Sequence, residues 1–179
     1  MRNLSNRIGV MTRYLKAFVL LAVAFCAGGC GIYSFSGTSI RPDVHTITIE
    51  PVENNAMKVN PALANDLTEA MKDKFKKLTS LEQVEMDGDL LLVVTVESYD
   101  VKAQGVSKDE TAAQNRLTVT CKATFENFKH PEESFEKKSF AAYQDYDADL
   151  SLDEVEASLC DEIIETLVED IFNASVAQW

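Results

Sequence analysis

Residues 145–156, DYDADLSLDEVE, carry the most suggestive spacing of oxygen ligands in this chain. Asp145, Asp147, Asp149, Asp153 and Glu156 occupy positions 1, 3, 5, 9 and 12 of a calcium loop, the pattern in which carboxylates close around a hard cation. Leu150 stands where that loop needs glycine for its sharp turn, and a strand pattern rather than a helix precedes the segment. Acids at the start of a helix also have a simpler use, because they cap its free N–H groups and complement its dipole. Metal binding is the weaker reading here, and no cofactor is expected.

Other reactive side chains are few. His45 lies in an alternating strand pattern and His130 precedes a proline, which suits structural or surface roles. There is no glycine-rich phosphate loop, no C-x-x-C and no nucleophile elbow, so the sequence does not ask for an enzyme. Lys72, Lys74, Lys76 and Lys77 gather near the end of a helical pattern, where cations favour the helix dipole or could meet an anionic ligand. Cys121 and Cys160 each fall on an apolar face; they either pair across the core or remain buried thiols that behave as small hydrophobes.

Cys30 is a different case. Arg2, Arg7, Arg13 and Lys16 precede an apolar run at 17–27 that ends in Gly28, Gly29 and Cys30. A bilayer-spanning helix needs roughly 20 apolar residues, so this run reads as a cleaved secretory signal, beginning at Met1 or at Met11. Ala27-Gly28-Gly29-Cys30 resembles a bacterial lipobox, although Ala27 replaces the leucine such a site prefers. Bulky Phe25 makes Cys26 a poorer site. Cys30 is therefore the expected acylated first residue of the mature protein. An ordinary secretory signal is the alternative.

The whole chain has 17 Lys plus Arg against 29 Asp plus Glu. Residues 1–29 hold four of the basic residues and none of the acidic ones, so the mature chain carries 13 against 29, a net charge of −16. A phosphate backbone would be repelled by that balance, which excludes nucleic acid as an expected partner. Bulk charge does not favour an anionic lipid surface either.

Several elements must position these groups. Residues 30–43 have the Gly/Ser/Thr content of an extended tether, and 44–52 alternates as a half-buried strand up to Pro51. Asn60-Pro61 reads as a helix start, followed by the stripe Leu63, Leu67, Ala70, Met71, Phe75 and Leu78. A turn at Asp87-Gly88 introduces a long strand at 89–101, apolar on both faces in its first half. Residues 116–128 alternate most cleanly, with Leu117, Val119, Cys121, Ala123 and Phe125 on one side and Thr118, Thr120, Lys122 and Thr124 on the other. A weaker strand spans 135–146, and the capping box Ser151…Glu154 opens a long amphipathic helix. The expected fold is α+β, in the order β-α-β-β-β-α. Two amphipathic helices pack on one face of a four-stranded mixed sheet and leave the other face partly open. The expected domains are a lipoprotein signal peptide at 1–29, a lipidated tether at 30–43 and a single domain at 44–179.

Four stretches, CGIYSFSGTSI (30–40), TITIEPVENNA (46–56), VNPALANDLTEAMKDKF (59–75) and NRLTVTCKATFEN (115–127), together resemble the LptE family of lipopolysaccharide-assembly lipoproteins, in the form found in Bacteroidetes-type bacteria. The resemblance implies an outer-membrane lipoprotein, lipid-anchored through Cys30 and facing the periplasm. It implies an LptD-type β-barrel partner, which the lipoprotein plugs and helps to assemble, in support of lipopolysaccharide transport to the outer leaflet. The role would be recognition and fit rather than catalysis. Direct contact with lipopolysaccharide would need a local basic patch against the −16 background, such as Lys72, Lys74, Lys76 and Lys77, or Arg116 with Lys122. The rival reading is an adaptor or small-ligand module of another cell-envelope complex.

Overall fold

The computed structural model describes residues 40–58, 60–104 and 113–177. The expected signal peptide, Cys30 and most of the tether lie outside them. Within the described residues no helix is long and apolar enough to cross a membrane.

Strand β1 (Thr46–Ile49) and strand β2 (Glu53–Asn54) run one after the other along strand β4 (Leu90–Gln104), both parallel to it. Between them Pro51 has no N–H to donate, so the ladder breaks and then resumes. Helix α1 (Leu63–Leu78) leads to strand β3 (Glu82–Gln83), which pairs parallel to β1 on its outer side. β4 and strand β5 (Gln114–Asn127) form a long antiparallel pair, and strand β6 (Phe135–Asp147) follows β5 antiparallel. Helix α2 (Leu152–Val176) closes the domain.

The order is β3-β1-β4-β5-β6, with β2 off this path on β4. The sheet therefore has six strands, not the expected four. β2 and β3 are two polar residues each, too short to show any alternation, and only their neighbours in space make them strands.

Both helices cover one face of this sheet. Ile47, Leu90, Leu92, Val94, Leu117, Val119 and Phe125 from the strands share one core with Leu67, Met71 and Phe75 of α1 and Ile163, Leu167 and Ile171 of α2. Each such side chain contributes about 1.5–3 kcal/mol relative to an exposed one. The helices meet edge to face at Phe75 and Phe172, with ring centroids 5.0 Å apart. A bulge between Val96 and Ser98 shifts the alternation of β4, which is why Tyr99 rather than Ser98 turns inward.

Helix ends follow the sequence closely. Asn60 Oδ1 accepts hydrogen bonds from the N–H groups of Ala62 (2.9 Å) and Leu63 (3.3 Å), so it caps α1 although regular helix begins at Leu63. At α2 the Ser151 N–H and hydroxyl both donate to Glu154 Oε2, at 2.9 and 2.7 Å. Leu78, expected on the apolar stripe, is 43% exposed. It is the last residue of its helix, where the Thr79 N–H and hydroxyl both turn back onto the Phe75 carbonyl and end the turn.

Candidate functional site: the uncovered sheet face

Because side chains alternate across a strand, burying one set on the helices presents the other set to the opposite side. β5 contributes Arg116, Thr118, Thr120, Lys122, Thr124 and Glu126 to that side, and its register places Thr118 beside Tyr143 and Thr120 beside Ala141 of β6. From β4, Leu91, Val93 and Thr95 stand opposite Glu126, Thr124 and Lys122. These positions of β4, with Thr118, Thr120 and Thr124, are half-buried although neither helix among the described residues lies over them. Beyond the strand, Phe128 continues the row and is 58% exposed.

Both cations on this face have carboxylate partners. Arg116 binds Asp145 with two arms, Nε to Oδ1 at 2.6 Å and Nη2 to Oδ2 at 2.8 Å, and its guanidinium lies 3.7 Å from the centroid of the Tyr143 ring. The Arg116 hydrogen bond holds the Asp145 carboxyl below the usual carboxylate range. Lys122 Nζ reaches Glu97 Oε2 at 3.0 Å. What remains at the centre is a platform of threonines and small residues, unusual in so acidic a chain.

The loop between β3 and β4 crosses β1 on the same side. The Gly88 N–H donates to Thr48 Oγ1 at 3.1 Å and the Asp89 N–H to Thr46 Oγ1 at 2.8 Å. The approach is so close that a Cβ on Gly88 would stand 2.7 Å from the Thr48 backbone nitrogen. Asp89 in turn accepts from the N–H groups of His45 (2.8 Å) and Thr46 (3.2 Å). Those bonds, His45 first and then Lys129, hold its carboxyl at about 2.

Where the chain enters the domain, polar contacts from Arg41 and Asp43 fasten it to the β5–β6 corner, beside a Lys129–Asp89 ion pair. Arg41 Nε meets Glu133 at 2.6 Å, His130 Nε2 meets Asp43 at 2.9 Å, and Lys129 Nζ meets Asp89 at 3.0 Å. Sequence reasoning missed this corner. The partners of Arg41 and Asp43 lie 92 and 87 residues away, and no local pattern links them.

Of the remaining candidates, the lysines of α1 do not form a free patch. Lys72 pairs with Glu69 (3.1 Å), Lys77 with Asp73 (3.6 Å) and Lys74 with Glu169 of α2, while Lys76 is exposed with no ion-pair partner among the described residues. The calcium-loop carboxylates are dispersed: Asp145 is held by Arg116, Glu156 accepts the Tyr99 hydroxyl, and Asp147 Oδ1 accepts the Asp149 N–H at 3.4 Å. Among the described residues no three His, Cys, Asp or Glu side chains are arranged to hold a metal ion. Cys121 and Cys160 are buried free thiols and not a disulfide. Burial pushes Cys121 up to about 12 and also raises Cys160, whose sulfur lies 3.9 Å from the Tyr99 hydroxyl.

The sequence model of the LptE family, described as lipopolysaccharide-assembly, matches residues 44–175, the helices and all six strands together. The chain belongs to the LptE family. As a member of LptE it is assigned to lipopolysaccharide assembly, and no curated protein sequence matches it significantly. Solved structures similar to it include three bacterial proteins. The hypothetical protein CT253 from Chlamydia trachomatis is 6% identical at a TM-score of 0.49, over 75% of this chain and 99% of its own. A minor lipoprotein from Acinetobacter baumannii is 17% identical at 0.47, over 76% and 98%. Lipoprotein GNA1162 from Neisseria meningitidis is 14% identical at 0.40, over 72% and 99%. At these TM-scores and identities the likenesses carry no argument about function.

Proposed function

We propose that this LptE-family chain is an outer-membrane lipoprotein, acylated at Cys30 and facing the periplasm. It seats in an LptD-type β-barrel as plug and assembly factor, and so supports delivery of lipopolysaccharide to the outer leaflet. Its signal peptide is 1–29, its tether 30–43 and its working body 44–179. The mechanism is fit and recognition, without a catalytic step.

One observation carries the reading beyond family membership: the sheet face that the two described helices leave uncovered is threonine-rich and partly buried, and its two cations, Arg116 and Lys122, are each paired with a carboxylate. Such a face can meet a polar wall, because its hydroxyls can exchange water for wall groups and its cations already have partners. A lumen-lining surface of a barrel is polar and of this kind. Lipopolysaccharide handling by the basic residues has less support. Of Lys72, Lys74, Lys76, Lys77, Arg116 and Lys122, all but Lys76 are paired with carboxylates.

Affinity purification from native outer membranes, with the lipid anchor intact, tests the proposal. A stoichiometric barrel of translocon size is expected. A different stoichiometric envelope partner would instead make the chain an adaptor of another complex.

A further inference from the structure

The segment by which the chain enters the domain, residues 40–44, is held at its two ends by apolar contact and between them by charge. Ile40 and Val44 pack on the core, whereas Arg41 and Asp43 are exposed and reach across to the β5–β6 corner. The same segment forms one wall of a cleft of about 390 Å³, whose lining also includes Ser175 and Val176 of α2.

His130 stands at the centre of that corner. Its Nε2 lies 2.9 and 3.1 Å from the two carboxylate oxygens of Asp43, and its Nδ1 lies 3.8 Å from Oε1 of Glu132 in the 3-10 turn Pro131–Glu133. The backbone under the ring is fixed, because the His130 N–H donates to Oδ1 of the buried Asn127 at 2.9 Å. Both ring nitrogens therefore face carboxylates. A protonated imidazole has an N–H for each; a neutral one has a single N–H and must turn a lone pair towards one of the two. The hold on Asp43 is thus at its strongest when the ring is charged.

Arg41 of the entering segment, Lys129 beside the ring, Glu132 and Glu133 of the turn and, through Lys129, Asp89 of the β3–β4 loop complete the cluster. The hydrogen bond from His130 holds the Asp43 carboxyl below the usual carboxylate range, Asp89 lies at about 2, and Glu133 raises Arg41. Histidine is the side chain whose ordinary titration falls between about pH 5 and 8; carboxylates, lysine and arginine titrate outside that interval. Its proton therefore decides the balance of the corner.

We propose that His130 is a proton-operated clamp on the entering segment: the charged ring holds Asp43 against the β5–β6 corner, and loss of its proton as the pH rises loosens residues 41–43 and with them that wall of the cleft. The Arg41–Glu133 pair and the bond from Lys129 to the Asp43 carbonyl persist in both states, so the segment slackens without detaching. The inference stands apart from the barrel partner and from acylation at Cys30. It concerns the stretch that joins everything upstream to the body.

Amide hydrogen exchange in the purified full chain tests the clamp. The Val44 N–H, which donates to the Arg41 carbonyl at 3.1 Å, reports whether the segment is held. After correction for the intrinsic rate, its protection should be several-fold greater at about pH 5.5 than at about pH 8, on the two sides of histidine titration, while the amides of β5 change little. His130→Gln, which keeps a donor but cannot be charged, and Asp43→Asn, which removes the carboxylate, should each level the two values. Equal protection of wild type at both pH values overturns the proposal. So does a pH effect that survives in either variant: in His130→Gln it would belong to another group such as His45, and in Asp43→Asn the charge of His130 would act elsewhere than on the entering segment.

Discussion

Arg116 on β5 and Asp145 on β6 face each other across the outermost antiparallel pair and are joined by two hydrogen bonds of 2.6 and 2.8 Å. This ion pair flanks the threonine platform, with the Tyr143 ring stacked against the guanidinium. Arg116→Glu therefore places two like charges side by side on the face proposed to meet the barrel. We expect co-purification of the barrel to fall while the urea midpoint of the isolated domain moves little, because the pair is exposed. Thr120→Lys should behave the same way. Unchanged co-purification for both would remove the open face as the docking surface.

Gly88 supports the loop that crosses β1, and the obstacle to a side chain there is backbone, since a Cβ would stand 2.7 Å from the Thr48 nitrogen. Backbone cannot rotate away as a flexible side chain would. Gly88→Ala should cost about 2 kcal/mol, in the range of other overpacking changes, read as a lower urea midpoint with an unchanged slope.

Asp89 sets an acid limit on stability. Its carboxyl sits at about 2 in the folded chain against 3.8 for the ordinary group, chiefly because the His45 N–H donates to it. Between those values the unfolded chain binds the proton more readily, so stability is fully present above about pH 4 and drains away as the pH falls towards 2. Asp89→Asn should flatten that part of the curve of urea midpoint against pH. An identical acid limb in wild type and variant would assign the loss to other carboxylates.

Phe75 and Phe172 hold the two helices together at a buried edge-to-face contact. Phe75→Ala removes a ring that is 1% exposed and leaves a cavity between helix and sheet, which typically costs about 3–5 kcal/mol. Thermal unfolding should report it directly.

Cys121 and Cys160 should stay inert in the folded protein. Burial pushes Cys121 up to about 12 and raises Cys160, so neither offers thiolate at neutral pH. Peptide mapping after alkylation is expected to find both unlabelled until denaturant is added. A mass two units low in non-reduced digests would indicate a bridge instead.

Much of this molecule can be read from local pattern. The alternation of Leu117 to Phe125 against Thr118 to Thr124 is a property of neighbouring residues, and so are the stripe of α1, the Asn60 cap and the Ser151–Glu154 box. Each survived into the structure because burial of one face decides the element, and nothing distant opposed it. The net charge and the family signature are also legible along the chain, as is the apolar run before Cys30, which lies outside the described residues.

Tertiary structure decided what depends on residues far apart in the chain. Glu53–Asn54 and Glu82–Gln83 become strands only because β4 and β1 offer them open backbone groups. The carboxylates of 145–156 look like a cation cage in one dimension; in three, Arg116 and Tyr99 claim Asp145 and Glu156 first. Likewise the lysines of α1 lose their apparent freedom to nearby acids, one of them 95 residues away. Charge and hydrogen bonding act through space, with the nearest partner winning whatever its sequence distance, whereas periodicity is written along the chain itself.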